Sequence, residues 1–338
     1  MKSSLRMMDG LLDDSENIME ILIMSLVSNP DKIRLGIIGM SEGNGHPFSW
    51  SAMFNGYDQK LMTEECQFAG IPVYLNKEPK DTLRIKGANV THIFCDDRKD
   101  AEKVAKCSLI PHVVEKPEDF IGNVDAVIIA RDIGSEHVER ARPFVEAGLP
   151  VFIDKPLCDN RKDLAIFRKW IVEEKKPIMS SSAMRYAKEF KPYHMRTEEL
   201  GQLRFVSMPM AKKWETYGIH ALESIYPIVG PGFETVQNVG TCERNIVHMT
   251  HKRGIDIVIA TIKDIQYGGA LRLGGTAGNV ALTSNDTFYA FKAQLQAFVD
   301  FLRSGEYPFP FSETEELMKL VIGGTESREN KGKLIKLN

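Results

Sequence analysis

The sequence predicts an α/β fold in two parts. Residues 31–183 should form a parallel sheet flanked by helices, and residues 184–332 an α+β domain on a large, open, mostly antiparallel sheet. Three observations predict this. Short apolar runs of the kind buried on both faces recur through the first half, separated by amphipathic stretches. One of them, Val151-Phe152-Ile153, ends abruptly in Asp154-Lys155-Pro156, so that an ammonium stands at a strand's carboxyl end. From about Ala183 the pattern changes to period-two segments, which mark a half-exposed sheet.

Residues 1–30 read as an N-terminal extension. Its apolar stretch, Ile18 to Val27, is too short to span a bilayer and lacks a cleavage-type small-residue pattern. It is read as a helix packing on the body, or with its surroundings as a disordered leader. Lys32 to Gly39 is the first strand and Asn89 to Cys95 the second, ending in Asp96-Asp97. Between them lie roughly fifty residues where a minimal dinucleotide-binding unit needs about twenty, which places an insertion around residues 47–86. Arg98 to Ser108 reads as a helix, Ile110 to Val114 as a short strand, and Asp119 to Gly122 as the approach to the strand Val124 to Ala130. Glu136 to Ala147 is a helix with Gly148 as its C-cap, and Leu149 to Ile153 is the next strand. Asn160 to Lys175 is amphipathic, and Pro177 to Ser182 closes the sheet. The period-two segments are Leu203 to Met208, Val236 to Val247, Gly254 to Lys263 and Gly268 to Leu273. Helices at Gly218 to Val229, Phe288 to Ser304 and Glu313 to Ser327 should cover one face of that second sheet.

Composition narrows the function. The chain has 338 residues, 43% hydrophobic and 26% charged, enough for two globular cores. With 43 basic and 46 acidic side chains the net charge is −3, so no general attraction to nucleic acid or anionic membrane is expected. The cysteines, Cys66, Cys95, Cys107, Cys158 and Cys242, are scattered and odd in number without a C-x-x-C pair. That argues against disulfides and structural zinc and fits a reducing cytoplasm. His248 and His251 lack the neighbouring ligands of a metal site, and no metal is expected.

The loop after the first strand, Gly39-Met40-Ser41-Glu42-Gly43-Asn44-Gly45, is where a dinucleotide-binding fold holds its pyrophosphate. Ser41 stands where the G-x-G-x-x-G pattern wants glycine, and Glu42 adds negative charge. Gly39, Gly43 and Gly45 remain, with Ser41 and Asn44 among the groups that would face the cofactor, unless the loop is only a turn. Asp96 can accept hydrogen bonds from ribose hydroxyls and repel a 2′-phosphate, favouring NAD. Arg98 nearby leaves NADP open, and Asp96 can also cap the following helix. Arg131, Asp132 and His137 follow the next strand, near the cofactor, with a supporting role for His137. Lys155 can orient a substrate hydroxyl and stabilise alkoxide charge.

Asp125 to Leu157, with its Asp154-Lys155-Pro156, resembles the glucose-fructose oxidoreductase/inositol dehydrogenase (Gfo/Idh/MocA) family, Asp154 replacing the family's glutamate. Gly274 to Gly278 resembles a family turn and Ala297 to Phe301 a family helix, so the resemblance spans residues 32 to about 332. It implies an N-terminal Rossmann dinucleotide-binding domain, a substrate-binding second domain, and association as a homodimer or homotetramer through the second sheet. Met184-Arg185-Tyr186 resembles a family segment with Met184 replacing an arginine, which implies that Arg185 contacts cofactor or substrate. Thr216 to Glu223 resembles the family's D-x-G-x-H-x-x-D helix, which implies that His220 moves the hydroxyl proton and that Tyr217, His220 and Glu223 join Lys155 in the substrate site. Thr216 stands where the assisting aspartate belongs. The implied function is hydride transfer between NAD(H) and a sugar, sugar derivative or cyclitol. Ser41, Glu42 and Thr216 keep open the alternative of a non-catalytic nucleotide- or sugar-binding member.

Overall fold

The computed structural model describes residues 25–337. The first sheet has six parallel strands in the order β3-β2-β1-β4-β5-β6: β1 (Ile33–Ile38), β2 (Ala88–Phe94), β3 (His112–Val113), β4 (Ala126–Ile129), β5 (Val151–Ile153) and β6 (Ile178–Ser180). Every residue of β4 and β5 is buried, as strands covered on both faces must be. The crossovers carry α1 (His46–Asn55), α5 (Arg98–Cys107), α6 (His137–Glu146) and α7 (Arg161–Arg168). Local chemistry sets their ends. Asn160 accepts from the Asp163 N–H at 2.9 Å to start α7, and Gly148 takes φ +77° just past α6. The cap of α5 is Asp97, which accepts from the Lys99 N–H at 2.9 Å, and not Asp96.

The insertion is shorter than residues 47–86, because α1 is the ordinary first crossover helix. The additional chain is α2 (Gln59–Glu65), α3 (Gly70–Leu75) and α4 (Lys80–Leu83). It packs on α1 through Gly45, where a Cβ atom would lie 2.4 Å from the Phe68 ring and 2.7 Å from Ile71.

The second sheet has seven strands in the order β12-β11-β7-β10-β9-β8-β13, antiparallel except for the pairing of β7 with β10. They are β7 (Leu203–Ala211), β8 (Phe233–Asn238), β9 (Arg244–His251), β10 (Ile255–Ile262), β11 (Leu271–Gly275), β12 (Asn279–Leu282) and β13 (Ile335–Lys336). The stretch Val236 to Val247 is not one segment. It turns over at Gly240, where the Thr241 N–H bonds the Arg244 carbonyl and a Cβ on Gly240 would lie 2.0 Å from that oxygen. Strands β12 and β13, too short to show a period, escape the sequence pattern.

Helices α8 (Ile219–Val229) and α10 (Phe311–Glu329) cover one face of this sheet. The third, α9 (Thr287–Ser304), returns to the first domain instead. Leu295, Phe298 and Phe301 join its core, and the Phe298 ring lies 5.4 Å from that of Phe152 in β5. The helix expected over Ile18 to Val27 lies mostly outside the described residues. Its last part, Ser25 to Val27, is not helical, and the Leu26 N–H bonds the Leu302 carbonyl of α9.

Candidate active site

A cavity of about 760 Å³ opens at the carboxyl ends of β1, β4 and β5, between the two domains. The glycine loop forms one wall with Gly43, Asn44, Gly45 and His46, and Asp132 and Lys155 lie on the strand ends beside it. Opposite stand Tyr217, His220 and Tyr267 from the second domain. The remaining sides come from Gly70 to Glu78 of the insertion and from Asn285 to Phe291 at the start of α9.

Lys155 is nearly inaccessible, with its side chain 4% exposed and Nζ 3.4 Å from Oδ2 of Asp132. Burial opposes its charge, but Asp154, Asp132 and Tyr217 outweigh that and hold its pKa above the usual lysine value. Asp132 in turn is resisted by burial but kept below the ordinary carboxylate range by Lys155, and by the Ser41 hydroxyl, which donates to it at 2.8 Å. His220 is buried with Nδ1 2.6 Å from Oγ of Ser182. Burial first, and then the charges of Lys155 and Lys212, push its pKa well below the imidazole value, so it is neutral. Among the described residues no carboxylate pairs with it, as Thr216 foreshadows.

The three loop glycines serve different needs. Gly39 lets the chain approach Pro47, whose Cγ would lie 2.1 Å from an added Cβ, and Gly45 admits the insertion. Gly43 alone takes positive φ, +75°, and an added Cβ there would meet only Nζ of Lys212, at 3.9 Å. The first turn of α1 offers little to an anion. The His46 N–H is held by Asn44 Oδ1 at 2.9 Å, Pro47 has none, and the Phe48 N–H bonds the Gly45 carbonyl. The N–H groups of Glu42, Gly43 and Gly45 make no hydrogen bond among the described residues.

Residues 33–180 match the family model described as oxidoreductase family, NAD-binding Rossmann fold, named GFO_IDH_MocA. These residues belong to the Gfo/Idh/MocA family. Solved structures agree on the fold over both domains. A probable dehydrogenase from Thermotoga maritima aligns with a TM-score of 0.70 at 16% identity, covering 90% of this chain and 99% of its own. A myo-inositol dehydrogenase from Lactobacillus casei, in complex with NAD(H) and myo-inositol, aligns at 0.70 and 15%, covering 91% and 97%. GenD2 from gentamicin A biosynthesis, in complex with NAD, aligns at 0.68 and 12%, with the same coverage. No curated protein matches the chain at a significant level.

The family model that matches residues 33–180 is of an NAD-binding Rossmann fold, and the glycine loop departs from that fold's usual phosphate-binding pattern. The free amides of the Gly43 turn, with the Lys212 ammonium beside them, are the groups available to a pyrophosphate. At the carboxyl end of β2, Asp96 is half exposed and held below the usual carboxylate range. Burial works against this, and Arg140 at 2.7 and 3.0 Å and Arg131 at 3.1 Å outweigh it. Arg98 is not its neighbour but pairs with Glu102 and Glu115.

Other expected residues stand elsewhere. Arg185 is engaged by Glu223 and, at 2.8 Å, by Glu313, with its guanidinium over the Phe309 ring. Neither Arg185 nor Glu223 lines the cavity. Their buried pair binds the strand end after β6 to α8, because Glu223 also accepts from the Ser182 N–H at 3.1 Å. Arg131 donates to the Met40 carbonyl and pairs with Glu136 at 2.9 Å, bracing the loop from behind. His137 is fully buried, its two nitrogens 3.1 and 2.9 Å from the Leu157 and Arg131 carbonyl oxygens. Tyr217 lines the cavity, its hydroxyl accepting from Lys212 at 2.6 Å.

His46, Ser182, Tyr267 and the insertion's Tyr74, Lys77 and Glu78 were not singled out from the sequence. Ser182 and His46 stand at a strand's carboxyl end and just past a glycine loop, and those positions were the available signal. Among the described residues no helix is long and apolar enough to cross a membrane, and no cluster of three or more His, Cys, Asp or Glu could hold a metal ion.

Proposed function

We propose that this oxidoreductase interconverts a secondary alcohol and a ketone on a sugar, sugar derivative or cyclitol, with NAD(H) as its cofactor. The observation that carries the proposal is the convergence of a buried, charged Lys155 and a neutral His220 on one cavity at the Rossmann sheet's carboxyl edge. A bound nicotinamide supplies or accepts the hydride. Lys155 holds the substrate oxygen and stabilises the negative charge that develops on it, more strongly than in water because its surroundings exclude solvent. His220 hydrogen-bonds the same oxygen. Tyr217, Tyr267, Asn285 and Glu78 offer the mixture of donors and acceptors that a polyhydroxylated ring needs, and Tyr74, Phe288 and Phe291 offer it apolar faces. A myo-inositol dehydrogenase with the same fold supports a cyclitol as one such ring. Self-association through the open face of the second sheet, which exposes Phe205 and Ile246, belongs to the same proposal.

The test is thermal shift with NAD(H) and NADP(H), followed by nicotinamide absorbance over a panel of sugars, nucleotide sugars and cyclitols. A dinucleotide at about one hundred times its Kd should stabilise the protein by roughly 2.7 kcal/mol. No shift with any dinucleotide would sink the proposal. Binding without turnover on any substrate would favour the non-catalytic alternative.

A further inference from the structure

A second histidine shares the cavity with His220, and its bonding suits proton transfer better. His46 is the first residue of α1, and its Nδ1 lies 2.7 Å from Oδ2 of Asp154. That carboxylate is itself fixed at the end of β5: Asn44 donates to it at 3.1 Å and the Lys155 N–H at 2.8 Å. The imidazole stacks on Trp50, with ring centroids 4.4 Å apart and planes at 15°, and Phe291 meets its edge at 5.0 Å. A carboxylate at Nδ1 sets the tautomer, with hydrogen on Nδ1 and the lone pair on Nε2. Nε2 makes no hydrogen bond among the described residues, and the side chain lines the cavity while only 16% exposed.

His220 is built differently. Its Nδ1 faces the Ser182 hydroxyl, which also accepts from the Met184 N–H at 3.1 Å, and among the described residues no acid pairs with it to support an imidazolium. A histidine that resists protonation this strongly can orient a hydroxyl but is a poor acceptor of its proton.

We propose that His46, oriented by Asp154, is the catalytic acid and base of the alcohol dehydrogenation, and that His220 positions the substrate hydroxyl. This rests on the dehydrogenase reading above. In the oxidising direction the substrate carbon gives its hydride to the nicotinamide ring of NAD⁺, and the O–H bond breaks with its proton passing to Nε2 of His46. The electrons of that bond form the C=O, leaving ketone, NADH and an imidazolium paired with Asp154. Reduction reverses each transfer. Among the described residues Asp154 bonds His46, Asp132 and His220 interact with it electrostatically, and Lys155, Tyr74, Lys77, Glu78, Lys188, Glu189, Tyr217, Tyr267 and Asp286 are the other charged and titratable groups lining the same cavity.

The experiment compares His46→Asn, Asp154→Asn and His220→Asn in the full chain. Nitrogen-15 spectra of the dinucleotide-free protein should show Nδ1 as the protonated nitrogen of His46, with that preference lost in Asp154→Asn. The Asp154 variant is nearly isosteric, so it tests the pair even if His46→Asn folds poorly. His46→Asn should keep the dinucleotide thermal shift, lose about two to four powers of ten in kcat, and lose the low-pH limb of the kcat/KM profile. His220→Asn should keep that limb and raise KM. The proposal is overturned if the limb survives in His46→Asn and vanishes in His220→Asn, or if His46 protonates Nε2 in the wild type. Absence of dinucleotide-dependent turnover in the wild type would overturn the dehydrogenase reading first, and this proposal with it. Normal wild-type turnover with near-normal His46→Asn would overturn this proposal alone.

Discussion

Lys155 carries its charge where water barely reaches, and two acids make that tolerable. Asp132 meets its ammonium directly, while Asp154, the next residue back, adds field without contact. On the proposed function, an ammonium held this way would have fewer water molecules to shed when a substrate oxygen arrived, and so would interact strongly with developing alkoxide. Lys155→Met keeps most of the volume and removes the charge. Turnover should fall about a hundredfold or more while the dinucleotide thermal shift persists. Steady-state kinetics on the best substrate of the panel, with thermal shift alongside, checks both halves. Near-normal turnover would remove Lys155 from the chemistry.

At the scale of elements, the first domain is a frame of strand ends. What the sequence disclosed and what it hid follow from which interactions are local. Strands β1, β4 and β5 were legible because strands buried on both faces must be continuously apolar, and Lys155 because it interrupts such a run. His46 and Asp154 were not legible as a pair, being 108 positions apart and joined only by the folding of α1 against β5. The family resemblance of Met184-Arg185-Tyr186 implied a ligand contact for Arg185, and nothing local in the sequence discloses Glu313, which reaches it from α10. The start of the insertion is hidden in the sequence because the α1 segment HPFSWSAMFN is almost wholly buried and shows no amphipathic stripe. Asp96, at the end of β2, shows how an element's end can serve two purposes. It anchors Arg140 and Arg131 yet remains half exposed, and on the proposed function that exposed side is what a ribose would meet. Asp96→Ala should lower NAD affinity by about tenfold, the loss of a charge-assisted hydrogen bond. It should also narrow the preference over NADP, because it frees two guanidinium groups beside the 2′ position. Calorimetric titration with both dinucleotides decides this. Unchanged affinities would reduce Asp96 to a partner of arginines.

For the whole molecule, the two domains are joined by more than the chain that links them. α9 sits in the core of the first domain, and the Arg185 cluster ties β6 to α8 and α10, so the cavity between the domains is held from two sides. The outer face of the second sheet is less committed. Val258 lies in register between Ser207 and His248, with Phe205 and Ile246 exposed nearby. If that face is where copies of the chain meet, Val258→Arg should shift sedimentation from dimer or tetramer to monomer, and a monomeric wild type would end the idea. Stability against pH follows from histidines kept neutral. Burial lowers the pKa values of His137 and His220, and burial followed by Arg185 and Lys191 lowers His194 to about 4 from an ordinary 6.5. Above that ordinary value neither the folded nor the unfolded chain binds these protons, and the contribution is zero. As pH falls, the unfolded chain takes them up first, so folding loses ground through the window down to the folded pKa. For each such proton the slope is at most about 1.4 kcal/mol per pH unit. Urea unfolding between pH 7 and pH 5 should therefore show stability falling with acid. His194→Gln, which has nothing to protonate, should shed close to one proton's worth of that slope while leaving the cavity intact. An unchanged slope in His194→Gln would mean that His194 titrates alike in both states.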